Sequence, residues 1–222
     1  MTEPIVIAID GPSGSGKSST SRGVADRLGL AYLDTGSMYR AMTLAMLRAG
    51  VDLEDPDAIA QAAPNATIIA GTHPLNPSIE LNGQDVAEAI RGEDVTAAVS
   101  KVAAVPSVRS ILVQSQRLAI DTAIAGIVIE GRDIGSVVAP DATLKIYLYA
   151  DPVARAQRRA AELGVEDETA MQEALALRDQ IDSNRAASPL KQSEDAVLVD
   201  GTHLTLDEVI DTIVSMLPAA NG

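Results

Sequence analysis

The chain has 222 residues, 46% of them hydrophobic, and contains no Phe, Trp or Cys. It can bury a sizeable, mainly aliphatic core, and it offers no thiol for a disulfide, a thiolate metal site or a cysteine nucleophile. A formal charge of −14 argues against a nucleic-acid polymer as partner, so the question becomes where the 17 Lys and Arg residues gather.

The N-terminal run has no basic region of the signal-peptide kind, and no apolar stretch approaches the ~20 residues of a membrane span. A cytoplasmic setting with no membrane partner is therefore expected, and the lack of Cys fits a reducing compartment. The strand-like run Ile5–Ile9 leads straight into Gly11-Pro12-Ser13-Gly14-Ser15-Gly16-Lys17-Ser18, and a helix-compatible stretch, Ser19 to Leu28, leads out. This is G-x-x-x-x-G-K-[ST] in the strand–loop–helix setting that a phosphate-binding loop requires. Its glycines let backbone N–H groups turn inward as a nest for an anion, and the helix N-terminus adds its dipole. Lys17 can reach the β- and γ-phosphates of a nucleoside triphosphate, and the Ser18 hydroxyl is placed to ligate Mg²⁺.

Leu30 to Asp34 reads as a second strand, and Thr35-Gly36-Ser37 opens a helix with Ser37 as its N-cap. Met38, Met42, Ala45, Met46 and Ala49 follow at helical spacing, and Gly50 closes that helix. Asp55-Pro56 starts a shorter one. The pattern then changes: Ala66–Ala70 and Ser78–Leu81 alternate like strands, and Leu81-Asn82-Gly83-Gln84 carries the Asn-Gly signal of a tight hairpin. Antiparallel strands within an alternating β/α chain predict an inserted subdomain over residues 65–91.

Helical spacing returns at Val95, Val99 and Val102, breaks before Pro106, and resumes through Val108, Ile111, Leu112 and Leu118. Ile127–Ile129 is a buried-strand candidate with Glu130-Gly131-Arg132-Asp133 just beyond its C-terminal end, and Leu144–Ala150 is the next strand. Asp151-Pro152 begins a helix bearing Arg155, Arg158 and Arg159 on one face. After Gly164 a second helix, running to about Ser183, bears Arg178 and Asp182, with Arg185 continuing the same spacing. Ala196–Val199 is the last strand, and a capping box at Thr205 and Glu208 opens the closing helix.

Five strands alternating with helices predict an α/β fold, a single three-layer P-loop domain over 1–222 with a parallel sheet covered on both faces. Ligands bind such sheets beyond the carboxyl ends of the strands, which sets the phosphate loop, Asp34, Arg132 and Asp133 along one rim. The arginines also collect near this rim, and their planar forks suit bidentate contact with phosphate. His73 and His203 have no partners at metal-ligand spacing. A GTP switch is disfavoured, because N-K-x-D is absent and the sole D-x-x-G, Asp26 to Gly29, falls in the first helix.

In the order IAIDGPSGSGKS, LDTGSMYR, SKVAAVPSVR, EGRDIGSVVAPDA, RAQRRA and RDQIDSNRAASPL, the chain closely resembles bacterial-type cytidylate kinases over nearly its whole length. The resemblance implies a P-loop nucleoside monophosphate kinase in which residues 65–91 bind the monophosphate and 152–185 form a mobile helical lid. The reaction implied is ATP plus CMP or dCMP giving ADP plus CDP or dCDP, with Mg²⁺, small-molecule partners and a monomeric chain. Gly11 to Ser18, Ser19 and Arg158 would hold ATP. Ser100, Arg109 and Asp133 would face cytosine, Arg178 and Asp182 the sugar, and Arg40, Arg132 and Arg185 the acceptor phosphate. Thr35 and Tyr39 would line the same site. Lys17, Arg132, Arg155, Arg159 and Arg185 would carry catalysis. One departure is Ile181, where the family often has a further Arg. The base chemistry agrees: cytosine offers an amino donor beside ring acceptors, which an Asp next to Arg donors matches and uracil does not.

Overall fold

Along the first strand, β1 (Ile5–Asp10), Ile7 and Ile9 are buried in one apolar cluster and Ala8 in another, the period-two alternation of a strand covered on both sides. The computed structural model describes residues 4–184 and 190–217. After β1 come α1 (Lys17–Leu28), β2 (Ala31–Asp34), α2 (Thr35–Arg48) and α3 (Pro56–Ala62). Three short strands follow, β3 (Ile68–Ala70), β4 (Ile79–Leu81) and β5 (Gln84–Asp85), then α4 (Glu93–Ala104) and α5 (Pro106–Thr122). The chain continues through β6 (Gly126–Gly131), β7 (Leu144–Tyr149), α6 (Pro152–Leu163), α7 (Glu168–Asn184), β8 (Val197–Asp200) and α8 (Leu206–Ser215).

The main sheet has the order β2-β6-β1-β7-β8, and each neighbouring pair is parallel. Ala8, Leu33, Ile127 and Ile129 face the helices that carry Met42, Val102 and Leu112. Ile7, Ile9, Val128, Ile146 and Leu148 face Val24 of α1 and Val209, Ile210 and Ile213 of α8. Two helices can pack this closely on the second face because Gly23 has no side chain: a Cβ there would lie 2.2 Å from Ile210 Cδ1. The chain leaves β1 towards β2 on one side and later crosses to β7 on the other. That reversal opens a crevice at the C-terminal end of β1, where the phosphate loop begins.

The second sheet, β3-β4-β5, is antiparallel, as the sequence pattern predicts. Asn82 at φ 52° and Gly83 at φ 78° make its tight turn, the two positive φ angles that an Asn-Gly hairpin supplies. Ile79, Leu81, Val86 and Ile90 bury this segment in the same cluster as Met38 and Met42 of α2. Its loop also reaches the main sheet edge, where the Tyr32 N–H donates to Thr72 O at 2.8 Å.

One local expectation is corrected. The helix after β2 starts at Thr35, and its N-cap is Asp34, whose Oδ1 accepts from the Ser37 N–H at 3.0 Å. Asp is as good an N-cap as Ser and comes three residues earlier, so strand passes into helix with no intervening loop. Ser37 instead turns its hydroxyl back to Asp34 O at 2.7 Å. Among the described residues no single helix is long and apolar enough to cross a membrane.

Candidate active site

The phosphate loop is shaped from behind by close contact with β7. Gly11 sits at φ 151°, and a Cβ there would come within 2.2 Å of Leu148 O, so only glycine lets the loop leave the sheet at this point. Gly16 is the N-cap of α1 and offers no side-chain acceptor, which leaves the first helical N–H groups facing the cleft for an anion. Lys17 is buried, and its Nζ donates to Pro12 O at 2.6 Å. Burial first, then the Arg132 guanidinium, pushes its amine well below the ordinary lysine range, while Glu130 opposes the shift.

Ser18 Oγ donates to Glu130 Oε2 at 3.0 Å, and the Tyr32 hydroxyl donates to the other carboxylate oxygen. Glu130 is the penultimate residue of a fully buried strand, and burial followed by Asp34 raises its carboxyl above the usual range. No group of three or more metal-ligating side chains occurs among the described residues. The corner offers only hard oxygen donors and too few of them for a cage. That composition suits a cation whose remaining ligands come from phosphate and water.

Asp10, the last residue of β1, is 5% exposed and lies beneath the loop. Its two carboxylate oxygens accept from the successive N–H groups of Ile134 and Gly135, each at 2.8 Å, and so hold the turn that presents Arg132 and Asp133. Burial raises its carboxyl from 3.8 to about 6, against the pull of those two N–H groups. Between these pH values the native state keeps a proton that the unfolded chain has lost, so this group's contribution to stability falls as pH rises. In denaturant titrations, wild type should lose about 2–3 kcal/mol relative to Asp10→Asn between roughly pH 4 and pH 7. Parallel pH profiles for the two proteins would show that the carboxyl ionises normally.

The arginines converge on a cleft of about 710 Å³, within the range of small-molecule sites. Arg132 bridges its two halves: Nη1 donates to Gly11 O at 2.8 Å and Nε to Asp182 Oδ2 at 3.0 Å. Asp182 in turn accepts from Ser100 Oγ at 3.4 Å. Arg109 pairs with Asp133, both side chains being at most 7% exposed, and its guanidinium lies 5.4 Å from the Tyr39 ring centroid. Arg40 donates to Ile90 O at 3.2 Å and to Thr96 Oγ1 at 2.9 Å. Burial and then Arg159 lower Arg40, and burial, then Arg132 and Arg40, lower Arg178 to about 9. Cations that depress one another in a cleft form a field complementary to a polyanion.

Of the residues expected from the sequence, Thr35, Tyr39, Arg40, Ser100, Arg109, Arg132, Asp133, Arg178 and Asp182 line this cleft. So do Ser13 to Ser19, Arg158 and Arg159, whereas Gly11 and Pro12 do not line it. Arg155 does not line it: its guanidinium is held by Asp179 and by Ser13 O. Arg185 lies outside the described residues. Two acidic residues escaped the sequence reading. Glu130 was visible only as the start of the run after the strand candidate Ile127–Ile129, and Asp179 as one carboxylate among many on α7.

Residues 7–219 match the model of a family described as cytidylate kinase. A cytidylate kinase from Nocardia farcinica is 54% identical over 215 residues, covering 95% of this chain and 92% of its own. One from Rhodococcus opacus is 51% identical and covers 100% of this chain and 98% of its own. The crystal structure of an uncharacterized protein from Eubacterium ventriosum shares the fold, with a TM-score of 0.52 at 14% identity over 95% of this chain and 96% of that one.

Proposed function

The chain belongs to the cytidylate kinase family, and from that premise we propose that it transfers the γ-phosphate of ATP to CMP or dCMP, giving ADP and CDP or dCDP. The observation that carries this reading is Arg132, which touches the phosphate loop at Gly11 O and the acceptor side at Asp182. A donor loop and an acceptor pocket linked by one guanidinium suit direct in-line transfer.

The acceptor phosphate is already an anion at neutral pH, so no strong general base is required. Catalysis then consists of positioning and charge neutralisation. Ser13 to Ser19 and Arg158 hold the triphosphate, and Lys17, Arg132 and Arg159 neutralise charge on the transferring group. Arg40, Arg132 and Arg185 hold the acceptor phosphate, Arg178 and Asp182 the sugar, and Ser100, Arg109 and Asp133 the cytosine, with Thr35 and Tyr39 lining the pocket. The insertion over 65–91 forms the monophosphate wall, a role supported by the Arg40 bond to Ile90 O. The segment 152–185, which contains α6 and α7, acts as the lid that excludes water, which would otherwise compete for the γ-phosphate. Ser18, backed by Glu130, would hold Mg²⁺. Bound there, the ion would supply positive charge to offset that of the transferring phosphoryl group. Because one chain builds both halves of the cleft, a monomer suffices, and the expected setting is the cytoplasm.

The test is ADP release across CMP, dCMP, UMP, AMP and GMP at equal concentration. CMP or dCMP should exceed AMP in kcat/KM by about 10²-fold or more. Equal turnover with AMP would remove the cytidylate reading.

A further inference from the structure

Ser13, the third residue of the phosphate loop, has each of its polar groups engaged by the α6–α7 pair. Its N–H donates to Asp179 Oδ1 at 3.3 Å, its C=O accepts from Arg155 Nη1 at 3.1 Å, and its Oγ accepts from Arg178 Nη1 at 3.5 Å. Arg155 and Asp179 also pair with each other, their side chains 8% and 18% exposed, so the Ser13 peptide and the ion pair close into a ring. The contact extends to the backbone: a Cβ on Gly14 would stand 2.9 Å from Arg155 O.

A carboxylate on an N–H of the phosphate loop opposes an incoming triphosphate unless its charge is neutralised, and Arg155 supplies that neutralisation. The pair is also not arranged for stability alone, since Arg155 Nε is buried with no hydrogen-bond partner among the described residues. What the ring fixes is register. Arg159 lies four residues beyond Arg155 on α6, and Asp182 three beyond Asp179 on α7, each about one helical turn or roughly 4.5–6 Å along its axis. That fixed point lies about one turn from Arg158 and Arg159 and next to Arg178, so it bears on where these cleft-lining guanidinium groups stand relative to the loop.

We propose that Asp179 is a positioning residue which, through Arg155 and the Ser13 N–H, sets the register of the arginine-bearing helices on the phosphate loop. This rests on the phosphoryl-transfer reading above. It assigns Arg155 to the anchor and leaves Arg158 and Arg159 to the phosphates.

The experiment compares wild type, Asp179→Ala, Asp179→Asn, Arg155→Ala and the Asp179→Ala/Arg155→Ala double variant. It measures kcat and KM for ATP and CMP, turnover per site able to bind a fluorescent ATP analogue, and the thermal unfolding midpoint. Asp179→Ala should lower kcat about 10²-fold, the size expected of a misplacement of about 1 Å, with smaller changes in either KM. Asp179→Asn keeps an acceptor for the Ser13 N–H and should lose only about tenfold. The double variant should be no worse than Asp179→Ala, because both act through one ring. A role confined to folding would lower the midpoint and leave kcat per competent site unchanged. The proposal is overturned if that kcat stays within about threefold of wild type, if it rises, or if the two losses simply multiply. Wild type inactive on CMP would instead remove the functional reading, so the two failures are distinct.

Discussion

Replacing Lys17 with Ala is expected to lower kcat/KM for phosphoryl transfer by about 10³-fold or more while the protein stays folded. The amine is buried beneath the loop with its Nζ 2.6 Å from Pro12 O, and burial and Arg132 both disfavour its charge there. A bound triphosphate reverses that balance and restores the full cation where water is excluded and its charge acts most strongly. The same logic makes ATP binding weaken as pH rises, since deprotonating Lys17 removes the charge that the triphosphate draws on. Two opposing effects act on stability. The Pro12 carbonyl loses a donor, at about 1–3 kcal/mol, while relief from a poorly solvated cation beside Arg132 offsets part of that loss. Steady-state kinetics with CMP and a thermal melt by circular dichroism decide the matter. Activity within about tenfold of wild type would refute the role of Lys17, and loss of the folded state would leave activity no longer its measure.

How much of this was legible in the sequence depends on how far apart the interacting residues lie. The phosphate loop is a local pattern, with its strand, glycines, lysine and helix all within residues 5–28, and the structure contains it as read. The Asn82-Gly83 turn and the Thr205–Glu208 capping box are equally local and equally plain. The parallel sheet follows from short continuous apolar runs that alternate with helices, because a strand buried on both faces needs apolar residues on each. Asp34 shows the limit of even local rules: two good N-caps stood three residues apart, and only the geometry at the end of β2 chose between them.

The rest required contacts that no spacing rule reaches. Arg155, Arg158 and Arg159 share a helix face, as i, i+3, i+4 spacing requires, yet their guanidinium groups go to different places. Arg155 goes to Ser13 and Asp179, Arg158 to the carbonyls of Gly201 and Thr202, and Arg159 to Glu162. A helix face fixes the direction of the Cα–Cβ bond, but a long side chain chooses its partner from the tertiary neighbourhood. Asp179 meets Ser13 across 166 residues and Ser18 meets Glu130 across 112, so neither carboxylate could be singled out along the chain. The charge pattern showed that arginines converge; only packing shows which of them anchor the helices and which face the cleft.

Asp133→Asn is expected to lower the CMP-to-UMP ratio of kcat/KM by about 10²-fold or more, with little change in ATP affinity. Asp133 is 4% exposed, and its carboxylate accepts from Arg109, which also donates to Ala103 O at 3.3 Å and lies over Tyr39. Breaking a buried pair outright costs about 3–5 kcal/mol, but Asn keeps an oxygen for Arg109 and loses only the charge, so a smaller stability loss is expected. The recognition effect is larger. If the amide oxygen stays on Arg109, the amide nitrogen replaces a carboxylate oxygen where the cytosine amino group donates, and donor then meets donor. Uracil presents an acceptor at that position, so the same substitution improves its fit. A loosened pocket would lower turnover of CMP and UMP together. A pocket that reads the base through Asp133 should lose CMP turnover and gain UMP turnover, and kcat/KM for both acceptors, measured on the folded variant, separates the two. An unchanged CMP-to-UMP ratio would show that Asp133 serves only as the counter-ion of Arg109.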